Sequence, residues 1–300
     1  MKIGTAAFSL SLLLTACVEL STTEEDLTGA LDPPDARVFW ARGEAGGGGG
    51  GSPNLNYHGG PVMTTGAYIE PIFWGTSWSN SSFVADKISG LQSFYGGIGG
   101  SNYDKTNSEY TNSSGTHVGT GATLGAVHVD TSAAARGGQR TSPILAEVCK
   151  EISNPRSDGY YPVYIDNRRG HAGYCAWHTY GTCNGVTVQF AFFFNLDGDA
   201  GCDPQDNVNG HSQGLAALAN VSGHELSEAL TDQHLDAWYD SSGAENSDKC
   251  AWAFGSTSIS LSNGSQWKIQ GNWSNNAYNN NTGYASRDGL NGCIDGGNYL

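Results

Sequence analysis

The chain has 300 residues, 38% of them hydrophobic, and a formal charge of −15 with only 14 lysines and arginines. So acidic a balance excludes nucleic acid and anionic membrane surfaces as partners, because both require a basic face; it suits an exported protein or one that binds cations.

Lys2 precedes a run of apolar and small residues from 3 to 14, and "LTAC" (Leu14 to Cys17) follows. The pattern matches a bacterial lipobox, so residues 1–16 are expected to be a lipoprotein signal peptide, with cleavage before Cys17 and lipid on its thiol. An ordinary cleaved signal peptide is the alternative. On the lipoprotein reading the mature chain lies in the cell envelope, at the outer membrane or cell surface, and touches membrane only through its anchor. Residues 17–52 carry Glu24, Glu25, Asp26, paired prolines and the run Gly46 to Gly51. Low apolar content makes this segment an expected tether, with a reach of roughly 30 Å. The remainder, residues 53–300, fits one large domain, expected to be monomeric.

Along that domain, "AYIEPIFWG" (67–75) predicts a strand and "SSFVADKISGLQSFYGGIG" a helix ended by glycines. "ATLGAVHVD" reads as a strand, "SPILAEVCKEI" as a helix with Ser142 as cap, and "YPVYIDN" as a strand. "VTVQFAFFFNL" (186–196) is the longest apolar β-type run and is placed centrally in a sheet. A helix and a loop-rich tail with short strands such as "QWKI" complete the order. The expected fold is α/β or α+β: a mixed sheet with a metal-bearing helix packed on it and a disulfide-pinned C-terminal part. Six cysteines follow Cys17 (Cys149, Cys175, Cys183, Cys202, Cys250 and Cys293), which predicts about three bridges of undetermined pairing.

The segment "HSQGLAALANVSGHELSEALT" places Leu215, Leu218, Ala219, Ser222, Leu226, Ala229 and Leu230 on one helical arc, the buried face. His224, Glu225, Glu228 and Asp232 occupy the neighbouring arc. His224 and Glu228 are one turn apart, the spacing at which two side chains converge on one ion. Glu225 projects beside them, where it can take a proton from a water activated by the cation. A third ligand must come from elsewhere, and "AWYDSSGAENSDKC" offers Glu245 and, behind it, Asp248, with Cys250 able to pin the segment. A histidine with carboxylates suits one zinc ion, although oxygen-rich ligation also admits calcium or manganese.

Three stretches together, "LNYHGGPVMTTGAYIEPIFWG", "YCAWHTYGTCNGVTVQFAFF" and "GHELSEALTDQHLDAWYDSSGAENSDKCAWAFG", resemble the bacterial branch of the phosphate-induced, or EXORDIUM-like, family over about residues 54–300. The resemblance implies a zincin-like metallopeptidase core with His224, Glu228 and Glu245 as ligands and Glu225 as the base. His178 matches the family's Cys-x-x-His position; it is expected to donate to a developing oxyanion, to complete the coordination, or to be a core histidine satisfied by backbone. His58 in "NYHGG" is expected to be structural.

"NLDGDAGCDPQDN" sets Asp197, Asp199, Asp203 and Asp206 in one loop, a candidate calcium site or a solvated acidic loop. Two functions are expected to compete. One is a lipid-anchored zinc metallopeptidase acting on peptide or protein. The other is a non-catalytic surface module that binds cell-wall glycan or protein, with a structural metal and with its eight Trp and 14 Tyr as stacking platforms.

Overall fold

The computed structural model describes residues 36–44, 52–135 and 140–296, together with Met1. The expected signal peptide, the lipidation site Cys17 and the glycine run lie outside the described residues.

Eight strands form one mixed sheet: β1 (Arg37–Trp40), β2 (Tyr68–Ile69), β3 (Ile72–Trp74), β4 (Thr123–Leu124), β5 (His128–Asp130), β6 (Gly159–Arg168), β7 (Tyr174–Cys183) and β8 (Val186–Asn195). Their order is β1-β7-β8-β6-β2-β4, with β3 also on β6 and β5 on β3. The β1/β7 and β7/β8 pairs are antiparallel, and the other pairs are parallel. The central position expected for 186–196 is the one β8 takes. Phe190, Phe192 and Phe193 are at most 1% exposed, and burial of each contributes roughly 1.5–3 kcal/mol.

Two features depart from the sequence expectation. Residues 67–75 form two strands instead of one, because the break falls at Glu70-Pro71 and proline has no N–H for the ladder. Residues 37–40 fall inside the expected tether, yet they form β1 on the sheet edge, with Arg37 opposite His178 and Phe39 opposite Ala176. The fold therefore begins before residue 53. The local apolar run Val38-Phe39-Trp40 was diluted by the polar composition around it.

The helices are α1 (Ser81–Val84), α2 (Lys87–Ile98), α3 (Thr141–Glu151), α4 (Gln213–Thr231) and α5 (Asn275–Asn280). The single helix expected over 81–99 is interrupted at Ala85, whose φ of 44° leaves the helical region. On α3 the capping position belongs to Arg140, and Ser142 lies inside the first turn. Ser212 caps α4 by accepting from the Leu215 N–H at 3.2 Å. A Cβ on Gly90 would come within 2.2 Å of the Leu215 side chain, so α2 approaches α4 closely at that point.

Helix α4 is buried on every side from Gly214 to Thr231, lying between the sheet, α2 and the strand Gln266–Trp267. The arc carrying His224 and Glu228 is thus covered as completely as the leucine arc. Three disulfides match the expected number: Cys149–Cys183 joins α3 to β7, Cys175–Cys202 joins β7 to the loop after β8, and Cys250–Cys293 ties the segment after α4 to the C-terminal part. Such bonds persist in an oxidising, extracytoplasmic compartment. Among the described residues no helix is long and apolar enough to cross a membrane.

Candidate metal centre

Four elements converge beneath the β1 edge. Helix α4 supplies His224, Glu225 and Glu228; β7 supplies His178; the loop after α4 supplies Glu245 and Asp248; and β1 supplies Arg37 and Phe39. Alternation along β7 turns His178 toward α4 in company with Ala176. Its partner on β8 is Ala191, so small neighbours leave space around the imidazole. His178 is 1% exposed, and His224, Glu225, Glu228 and Glu245 are 0% exposed. Asp248 is the exception, with a side chain 23% exposed.

The acidic groups form two overlapping trios, His178–Glu228–Glu245 and His224–Glu228–Asp248, in each of which the potential ligand atoms lie within 4.8 Å of one another. Glu228 belongs to both. Its Oε1 accepts from the Asp248 N–H at 3.0 Å and lies 3.0 Å from His224 Nε2. Its Oε2 lies 3.3 Å from His178 Nδ1 and makes no hydrogen bond.

The two histidines are prepared differently. His178 Nδ1 meets Glu225 Oε2 at 3.0 Å; a carboxylate accepts, so the proton is assigned to Nδ1 and Nε2 keeps its lone pair. That Nε2 has no hydrogen bond and lies 3.8 Å from Glu245 Oε2, whose carboxylate is also without one on either oxygen. His224 has the opposite arrangement. Its Nδ1 faces Gln270 Nε2 at 2.9 Å, and the orientation of that amide is assigned by the Trp252 N–H donating to Oε1 and by the Ser247 carbonyl accepting from Nε2. Gln270 therefore donates to Nδ1, and the neutral ring carries its proton on Nε2. This Nε2 is buried, 3.6 Å from Asp248 Oδ1, and makes no hydrogen bond.

Charge explains the titration behaviour. Burial pushes the Glu225 and Glu245 carboxyls up, Glu245 well above the usual range because Glu228 and Asp232 add like charge. Burial and then Glu228 raise Asp248 to about 7. Burial alone would lower both histidines, but the adjacent carboxylates Glu225 and Glu228 raise His178 to about 9, and Glu228 raises His224. Glu228, despite its burial, is lowered to about 2 by the neighbouring charges of His224 and His178. The centre draws in positive charge, as protons or as a cation.

A cation fits the first trio. His178 Nε2, Glu228 Oε2 and both Glu245 oxygens are buried atoms that make no hydrogen bond, although Arg37 Nε lies 3.7 Å from Glu245 Oε2, and buried polar atoms are rarely left so. Their nitrogen and carboxylate donors are of the kind that hold a divalent metal ion. A third acidic group, Asp130, Glu147 and Glu151, already surrounds the Lys150 ammonium.

Of the two readings of the acidic loop, the structure gives ion pairs and turns in place of a calcium site. Asp197 pairs with Lys87 at 2.8 Å, Asp199 with Arg169 at 2.7 Å, and Asp203 and Asp206 accept backbone N–H groups two residues on. Among the described residues no metal-capable trio forms there. His58 is exposed and stacks on Tyr239 at 3.6 Å. Among the described residues Trp40 and Tyr180 are exposed, and most of the other aromatics are buried or half-buried. Arg37, Phe39 and Gln270 escaped the sequence reading; Gln270 carries no motif, and its role arises only from the folded contact. No protein-family model, curated protein or solved structure matches the chain.

Proposed function

We propose that the protein is a zinc-dependent hydrolase of peptide bonds, in which His178, Glu228 and Glu245 hold the cation. The observation that carries this reading is that His178, Glu228 and Glu245 have potential ligand atoms within 4.8 Å of one another, while His178 Nε2, Glu228 Oε2 and both oxygens of Glu245 are buried and make no hydrogen bond. Bound there, zinc supplies Lewis acidity toward a carbonyl and makes water a nucleophile near neutral pH. The chain's own groups do the rest. Glu225 holds His178 through one oxygen and keeps Oε1 without a partner, free to accept a proton. The His224 Nε2–H, oriented by Gln270, can donate to an oxygen on which negative charge develops. The two histidines thus exchange the roles their sequence positions suggest. Membership of the EXORDIUM-like family and attachment through Cys17 belong to the same proposal and rest on the motifs alone.

Metal analysis of the purified protein tests the assignment. About one equivalent of zinc is expected, lost in His178→Ala and in Glu245→Ala and kept in His224→Ala, whose turnover falls. Zinc lost in His224→Ala and kept in His178→Ala would move the cation to the other trio. A second reading, a structural cation in a non-catalytic surface module, is favoured by the near-complete burial of the centre. Zinc-loaded protein that hydrolyses no peptide would select it.

A further inference from the structure

We propose that the edge of β7 above His178 is a docking groove for an extended peptide, and that residues 37–42 are its tethered occupant, holding the centre closed. The ligand class follows from the contacts: a strand with a basic side chain and, two residues later, an aromatic one. This deepens the hydrolase reading and rests on it for the catalytic consequence.

Strand β1 binds as an added edge strand, the mode in which main-chain hydrogen bonds give affinity and alternate side chains give selectivity. The pairing shifts register between Phe39 and Trp40, and beyond it the segment is held by Ala41 N–H to the Gly173 carbonyl at 2.9 Å, Arg42 N–H to the Gly201 carbonyl at 2.7 Å and Trp252 Nε1–H to the Trp40 carbonyl at 3.0 Å. Its inward side chains meet the functional groups themselves. The Phe39 ring stacks on His224 with centroids 3.9 Å apart and on Trp252 at 4.8 Å. The Arg37 Nε lies 3.7 Å from Glu245 Oε2, and its guanidinium lies 5.2 Å from the Tyr239 ring centroid. Phe39 is 0% exposed, so while β1 is in place no peptide can reach His224 along this edge. The remaining sheet, from β7 through β8 to β6, is continuous without β1. In sequence the strand is separated from the rest of the domain by Gly46 to Gly51, a composition suited to a linker.

The test uses the full chain with the six glycines replaced by the recognition sequence of a site-specific protease, folded, cut and washed free of the released segment. A fluorescent peptide of residues 36–44 should bind the cut protein saturably, at least ten-fold more tightly than the same peptide carrying Arg37→Ala and Phe39→Ala. Hydrolysis of an unfolded protein should rise at least ten-fold on cutting. Absence of peptide binding, or collapse of the near-UV circular dichroism once the segment is gone, overturns the groove and makes β1 an ordinary core strand. Phe39→Ala in the uncut chain provides a milder opening: zinc removal by a chelator should accelerate at least ten-fold, and an unchanged rate overturns the closure. If the peptide binds and nothing is hydrolysed, the groove stands and the hydrolase reading falls. Hydrolysis at one rate in cut and uncut chains removes the inhibitory role and leaves the hydrolase intact.

Discussion

Gln270 Nε2 lies 2.9 Å from His224 Nδ1, and the backbone of Trp252 and Ser247 holds that amide in a single orientation. A side chain 46 residues beyond the helix motif thereby sets which nitrogen of its histidine bears the proton. The expected outcome is a pair of opposite tautomers in cation-loaded protein: unprotonated Nδ1 at His224, protonated Nδ1 at His178. Nitrogen-15 spectra of the imidazoles read this directly, and matching tautomers would refute the assignment. Gln270→Leu should cost about 1–3 kcal/mol in denaturant titrations for each polar group left buried without a partner.

The cation-free protein should be most stable in mild acid. Asp248, raised from its ordinary 3.8 to about 7, holds its proton longer when folded, so its contribution is present below about pH 4 and lost as the pH rises through about 7. His178, raised from 6.5 to about 9, contributes fully below about pH 6.5 and loses that contribution as the pH rises through about 9. Glu228 works in the other direction: lowered from 4.5 to about 2, it stabilises above about pH 4.5 and ceases to as the pH falls toward 2. Thermal midpoints in chelator should therefore peak near about pH 4.5 and decline toward pH 9. Zinc affinity should rise over the same range, because binding expels those protons. A chelated protein that gains stability between pH 5 and 9 would contradict the charge balance of the centre.

Much of the architecture was legible from patterns with a local cause. The stretch from Phe190 to Phe194 is apolar throughout because β8 is buried there on both faces, and the even cysteine count foretold three bridges. The spacing of His224 and Glu228 located the centre, since one helical turn brings two side chains together whatever the rest of the chain does. What stayed hidden depends on long-range contact. Helix periodicity cannot reveal that α4 is covered on its polar arc, because that cover comes from β1 and from the segment around Gln270. Nor can it tell a histidine ligand from a histidine donor, which is decided by the partner of the opposite ring nitrogen. The acidic loop left two readings open for the converse reason, and its regular spacing serves Asx turns and separate ion pairs with Lys87 and Arg169.

The Cys250–Cys293 disulfide closes a long loop and anchors, at its Cys250 end, the segment just before it that carries Glu245 and Asp248. The Asp248 N–H donates to Glu228, and the Ser247 hydroxyl donates to Asn272 at 2.8 Å, so the position of this segment decides where the Glu245 carboxylate points. Replacing both cysteines by alanine should lower stability by about 2–4 kcal/mol, the usual range for a loop of this length. Zinc affinity should fall in the same variant, because Glu245 must then be ordered on binding. Equilibrium unfolding and zinc competition check the two effects separately; unchanged zinc affinity would show that Asn272 and Glu228 suffice to place the segment.

Glu225 is asked to do two things, and two substitutions separate them. One oxygen accepts from His178 Nδ1–H, which fixes the ring; the other has no partner and can take a proton. In Glu225→Gln the amide oxygen can still accept from Nδ1–H, so zinc should stay bound, but the group is no longer a base. kcat is expected to drop by about 10²–10⁴-fold with little change in KM. In Glu225→Ala the histidine loses its orienting partner as well, and zinc affinity should fall by about 10–100-fold in addition to the lost turnover. The difference between the variants measures orientation apart from proton transfer. Equal zinc loss in both would mean that the negative charge of Glu225, and not its hydrogen bond, supports the site. Full turnover in Glu225→Gln would pass the base role to Asp248, the carboxylate of the centre with a partly exposed side chain.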